Sequence, residues 1–151
     1  MSLSLKEQIH EDMKSSLRSK DSIRLGTIRM IMAAIKQREV DERITLTDLQ
    51  VIEALDKMLK QRRESIAQYQ AAHRSDLADK EAFEITVIQG YLPPALSETE
   101  LDNLIKEAIT TSGATSSRDM GKVIGILKPR VQGRADMGKV SAKVKEKLST
   151  L

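Results

Sequence analysis

The chain contains no cysteine and no tryptophan. Without cysteine there can be no disulfide, no thiolate nucleophile and no cysteine-bound zinc. Aromatic residues make up 2% of the sequence: Phe83, Tyr69 and Tyr91. A core must then be built from Leu, Ile, Val, Met and Ala, which suits helices packed on helices better than sheets packed on sheets. No apolar run approaches the roughly 20 residues that a spanning helix needs, so no membrane partner is expected. The opening stretch MSLSLKEQIHEDMK turns polar and acidic within a few residues and does not read as a secretory signal. With the missing cysteine, this points to a reducing, cytoplasmic setting.

Catalytic signatures are missing as well. No Gly-rich phosphate loop and no Gly-x-Ser-x-Gly elbow occurs. His10 and His73 have no metal-ligand spacing; each reads as a helix-surface or helix-end histidine. The carboxylates fall at helix caps or in helix-face pairs such as Glu39 with Arg43 and Asp56 with Lys60. No catalytic residue, metal ligand or cofactor-binding residue is assigned, and the chain is not expected to be an enzyme by itself.

What is present is a helical pattern. The 151 residues are 40% hydrophobic and 31% charged, enough for one ordinary domain or two small ones. Three capping boxes mark helix starts: Ser4 with Glu7, Thr47 with Gln50, and Ser97 with Glu100. Asp21 can cap a further helix. Leu5, Ile9, Met13 and Leu17 form one apolar stripe, and Ile23, Ile28, Ile31, Met32 and Ile35 form the next. Val51, Ile52, Leu55, Met58, Leu59 and Ile66 line a long third helix. Leu77, Phe83, Ile85, Ile88 and Tyr91 belong to a fourth, which Leu92-Pro93-Pro94 stops. A fifth helix closes at Ser112-Gly113. The expectation is all-α: an N-terminal helical domain of about four helices over residues 1–94, then a small three-helix domain over 95–151.

Charge is unevenly spread. Residues 113–151 carry nine Lys and Arg against three Asp and Glu, a net of +6, whereas residues 1–112 have a net of −3. Five of the seven glycines also lie in 113–151. The pentapeptide DMGKV occurs there twice, at 119–123 and 136–140. Each copy reads as a helix start, with an acidic residue at the positive end of the dipole followed by an apolar stripe. The stripes are Met120, Val123, Ile124 and Leu127, then Met137, Val140, Val144 and Leu148.

The candidate nucleic-acid-binding residues lie in this tail: Arg118, Lys122, Lys128, Arg130, Gly133, Arg134, Lys139 and Lys143. Lys and Arg neutralise phosphates, and Gly at a helix start lets a backbone N–H approach an anion. The tail has no aromatic residue for stacking, so a folded RNA read by backbone and shape fits better than exposed bases. The competing reading makes the lysines a solvated face and the glycines sites of close helix packing, with Gly125 making room for Pro129. A second basic cluster on the third helix joins Lys57 to Lys60, Gln61 and Arg63 of KQRRES.

The order of KQRRES, YLP and MGKV…GRAD over nearly the whole chain resembles the YqeY-like, or GatB/YqeY-domain, family. The resemblance implies two all-helical parts split at Tyr91-Leu92-Pro93-Pro94. The C-terminal part is similar to the tail domain of the B subunit of tRNA-dependent amidotransferase, which in that family recognises the body of the tRNA. Its signature, a Gly-basic-Ala-Asp/Asn element before the last helix, is here Gly133-Arg134-Ala135-Asp136. The family often places Pro or Gly next, where this chain has Met137. The catalytic half of the amidotransferase has no counterpart in these 151 residues. The resemblance thus implies an accessory protein of translation that binds tRNA or another structured RNA, or an aminoacyl-tRNA enzyme or amidotransferase. The alternatives are a protein–protein adaptor without RNA, and a non-catalytic component of a carbon–nitrogen ligase that uses glutamine as amide donor.

Overall fold

Most helix starts coincide with short polar side chains that can take up an orphan backbone N–H; α4, which begins after Arg74, does not. In the computed structural model, which describes residues 3–151, the regular elements are seven α-helices and one 3₁₀ turn, with no strand among the described residues. The protein is all-α, as expected. The helices are α1 Leu5–Arg18, α2 Ser22–Glu42, α3 Asp48–Ala71, α4 Ser75–Gln89, α5 Glu98–Ser112, α6 Met120–Val131 and α7 Met137–Ser149. The 3₁₀ turn Ser117–Asp119 runs directly into α6.

Two of the three capping boxes close in both directions. Thr47 Oγ1 accepts from the Gln50 N–H at 3.3 Å while the Thr47 N–H donates to Gln50 Oε1 at 2.9 Å. Ser97 and Glu100 do the same at 3.1 and 3.4 Å. At Ser4 only one half forms: its Oγ accepts from the Glu7 N–H at 3.1 Å. Asp21 caps α2 through the Arg24 N–H at 3.2 Å. Asp119 and Asp136 occupy the N-cap positions of α6 and α7, yet neither side chain caps its helix. Asp119 instead turns back to the Thr115 N–H at 2.9 Å. α4 ends at Gln89, ahead of the Leu92-Pro93-Pro94 stop expected from the sequence.

The chain divides into two compact units, Met1–Leu92 and Pro93–Leu151. The core of the first gathers Ile9, Ile28, Ile31, Ile35, Val51, Leu55 and Ile88, all nearly free of solvent. Several predicted stripe residues point outward instead: Leu17 is 53% and Ile23 67% exposed, and Phe83 is also exposed. Leu25, Ala78 and Val87, absent from the predicted stripes, are buried. The second unit packs Leu101, Ile105 and Ala108 of α5 against Val123, Leu127 and Val131 of α6 and Val140, Val144 and Leu148 of α7. Both DMGKV copies therefore place their Val in this core, while Met120 and Met137 flank it half-buried.

Long-range polar contacts join the helices of the first unit. Lys6 Nζ pairs with Glu39 Oε2 at 2.7 Å, and Glu39 also accepts from the Leu46 N–H at 3.0 Å. The Lys6 ammonium first, and then that N–H, hold the Glu39 carboxyl below the usual carboxylate range. Helical spacing paired Glu39 with Arg43; the structure corrects this, because Arg43 takes a left-handed backbone at φ 55 that ends α2.

Candidate nucleic-acid interface

The basic residues of the second unit do not form one surface. α5 carries acidic side chains on the side that meets α7, and they engage part of the predicted set. Glu98 accepts from Lys139 through one carboxylate oxygen and from Lys143 through the other. Lys143 also reaches Asp102 at 3.0 Å. The two ammonium groups, Lys139 foremost, draw the Glu98 carboxyl down to about 2. Glu98 and then Asp102 push the Lys143 ammonium upward. Lys139 and Lys143 are thus bonded within the fold.

Arg130 and Arg134 are engaged as well. Arg130 pairs with Glu107 at 3.1 Å. Arg134 Nε donates to the Pro94 carbonyl at 3.0 Å, and its own carbonyl accepts from the Leu96 N–H at 2.9 Å. This strap ties the residues before α5 to the α6–α7 turn. Gly133, next to it, has φ 74, a left-handed conformation that a side chain resists.

The remaining predicted residues lie on the exposed side of α6 and in the 3₁₀ turn that leads into it. Arg118, Lys122, Gly125 and Pro129 recur at three- and four-residue steps, as do Gly121, Gly125 and Lys128, and all are exposed. Lys122 is 72% exposed and lies 3.9 Å from Asp119. Among the described residues, Arg118 and Lys128 have no ion-pair partner. A Cβ built on Gly121 or Gly125 meets nothing within 4 Å. For these two glycines this corrects the helix-packing reading: a side chain there would meet no neighbouring helix. The face is a strip of bare backbone edged by three cations.

The KQRRES cluster on α3 also divides. Lys57, Lys60 and Arg63 are exposed. Arg62, absent from the cluster expected on sequence, turns inward and pairs with Glu84 at 3.1 Å, its side chain only 13% exposed. Two adjacent arginines carry no local mark of which one faces α4; α4 alone decides it.

No group of three or more His, Cys, Asp or Glu is arranged to hold a metal among the described residues. No described helix is long and apolar enough to cross a membrane.

The model of the family described as Yqey-like protein matches residues 6–148. Among curated proteins the chain is similar to altered inheritance of mitochondria protein 41, mitochondrial, of Pyrenophora tritici-repentis. Identity is 33% over 142 residues, covering 92% of this chain and 78% of that protein. The protein of the same name from Lachancea thermotolerans is 28% identical over 149 residues, with 94% of this chain and 80% of that one covered. That of Saccharomyces cerevisiae is 28% identical over 120 residues, with 76% and 65% covered.

These relatives are named as mitochondrial proteins, and this overturns the cytoplasmic setting drawn from the sequence. The missing cysteine speaks to redox conditions, not to an address, and the cytoplasm is not alone in keeping thiols reduced. The match across residues 6–148 and the relative at 33% identity lead to one conclusion: the chain belongs to the Yqey-like protein family.

Proposed function

We propose that the Pro93–Leu151 unit binds structured RNA, with tRNA the favoured ligand, through the outward face of α6. The supporting observation is the set of Arg118, Lys122 and Lys128 spread along the bare backbone of Gly121 and Gly125. Three cations at helical spacing can meet successive phosphates, and each such pairing releases counterions. Where no side chain projects, a ribose-phosphate backbone comes close to the helix. Backbone and shape contacts of this kind recognise folded RNA without stacking. The preference for tRNA rests on the resemblance of this unit to the amidotransferase tail domain. Lys139, Lys143, Arg130 and Arg134 take a smaller part in this reading, since carboxylates pair the first three and the Pro94 carbonyl holds Arg134.

The test is filter binding or anisotropy with tRNA across a salt series. Arg118→Glu, Lys122→Glu and Lys128→Glu together should remove most of the affinity. The slope of log K against log salt should fall by about two to three, roughly 0.7–0.9 for each phosphate no longer neutralised. Lys139→Gln, whose partner Glu98 keeps Lys143, should change it far less. Affinity unaltered by the triple reversal excludes the proposal.

A further inference from the structure

α2 is apolar on more than one side. Its inner side, Ile28, Ile31 and Ile35, is buried. Its outer side still carries Met32, half-buried, and Val40, 60% exposed, with Ile44 exposed just past the helix end. A helix that is apolar beyond its core-facing stripe has more surface to cover than its own unit covers.

That surface forms one wall of a groove. α1 and α2 are joined by only three residues, 19–21, and form a helical hairpin. Lys6 reaching Glu39 sets the start of α1 beside the end of α2. Along this crease runs a groove of about 900 Å³, floored by Ile9, Ile35 and Leu46 and walled by Met32 and Ala33. It shares Lys6, Lys36, Glu39 and Thr45 with a second depression that holds Val40 and Ile44. From Met32 to Glu42 the wall runs about 15 Å, the length of roughly three helical turns. Two packed helices offer a third helix a groove of this kind, with side-chain ridges to interlock.

The charges on its edges are segregated. Lys6 and Glu39 neutralise each other at 2.7 Å. What remains is Glu7 on the α1 edge, beside Glu11, which Lys14 pairs on the same helix at 3.5 Å, and Lys36 on the α2 edge, with Arg43 beyond it in the second depression. One edge is acidic and the other basic, with apolar side chains between.

We infer that this groove receives an amphipathic α-helix of a partner protein, about three turns long. The partner's apolar stripe lies on Ile9, Met32 and Ile35. Its basic edge faces Glu7, and its acidic edge faces Lys36 and, in the adjoining depression, Arg43. The site is distinct from the α6 face and does not depend on RNA binding.

The test uses the full chain and three labelled helical peptides of about 14 residues with the same leucine stripe. One carries Lys on one edge and Glu on the other, one carries Glu on both, and one carries Lys on both. Fluorescence anisotropy should show saturable binding of the mixed-edge peptide, tighter than either other. Ala33→Glu places a charge on the groove wall at an exposed position, so the fold should tolerate it. It should weaken binding at least about tenfold, with unchanged circular dichroism and thermal melting. Lys36→Glu should weaken the mixed-edge peptide and not the all-Lys one. The inference is overturned if no peptide saturates, if the mixed-edge peptide has no advantage, or if Ala33→Glu binds as well as the native chain. It is equally overturned if sedimentation shows a dimer that Ala33→Glu dissociates, since the groove would then be covered by a second copy.

Discussion

Arg62 donates through Nε to Glu84 Oε2 at 3.1 Å, linking α3 to α4 across 22 residues, with side-chain exposures of 13% and 7%. An ion pair this far from water is not equivalent to a surface pair. Removing one partner strands the other charge in a low-dielectric site, whereas removing both strands neither. Arg62→Met should therefore cost about 3–5 kcal/mol in urea unfolding, and Arg62→Met with Glu84→Met should recover most of it. A single variant no less stable than the double would refute this account.

Glu98 makes stability depend on acid. Its carboxyl sits at about 2 in the folded chain against an ordinary 4.5, because Lys139 and Lys143 bond its charged form. The folded state therefore binds this proton less readily than the unfolded state. The contribution is complete above 4.5 and is lost as pH falls toward about 2. Melting temperature measured across that window should drop less steeply in Glu98→Gln than in the native chain. High salt should reduce the difference, since the pair is exposed.

Glycines of the second unit should respond to alanine with opposite signs. Gly113 closes α5 at φ 69, and Gly133 sits before the last helix at φ 74. Alanine at either should cost about 1–2 kcal/mol, the cost of a Cβ in the left-handed region. Gly121 and Gly125 lie inside α6 with open space around them. Alanine there should stabilise by up to about 1 kcal/mol, from helix propensity alone. Thermal melts of the four single variants check this, and destabilisation by Gly125→Ala would count against an unpacked α6 face.

The Tyr91 hydroxyl donates to Asp12 Oδ2 at 2.6 Å, holding the residues after α4 to α1. Burial, and next the Asp12 carboxylate, raise the phenol above its ordinary 10.0. Stability from this hydrogen bond is complete below 10 and is lost as pH rises beyond it. Tyr91→Phe should cost about 1–2 kcal/mol at neutral pH and flatten the alkaline limb of the stability profile. An unchanged alkaline limb would place the loss elsewhere.

The legible part of the fold is the local part. The Thr47/Gln50 and Ser97/Glu100 boxes could be read because both partners lie three residues apart on one helical turn. The α6 and α7 stripes could be read because one helix face meets one core in a small unit. The first unit was harder. Leu17 and Ile23 satisfy helical spacing and still point to water, since spacing states which residues share a face but not which face meets a neighbour. The candidate site followed the same rule. All eight basic or glycine residues were visible in a tail of net +6, but the split between open Arg118, Lys122 and Lys128 and bonded Arg130, Arg134, Lys139 and Lys143 was not.

By itself the sequence determined the all-α class, the places where most helices begin, the exclusion of thiol chemistry and the concentration of positive charge in the last 39 residues. Each depends on composition or on groups within a few residues of one another. Tertiary structure alone decided that Lys6 meets Glu39 across 33 residues, that Arg134 straps to Pro94 across 40, and that Lys143 is held by Glu98 across 45. A charge's role depends on what stands opposite it. In a helical protein that partner lies on another helix, at a distance along the chain that no periodicity encodes.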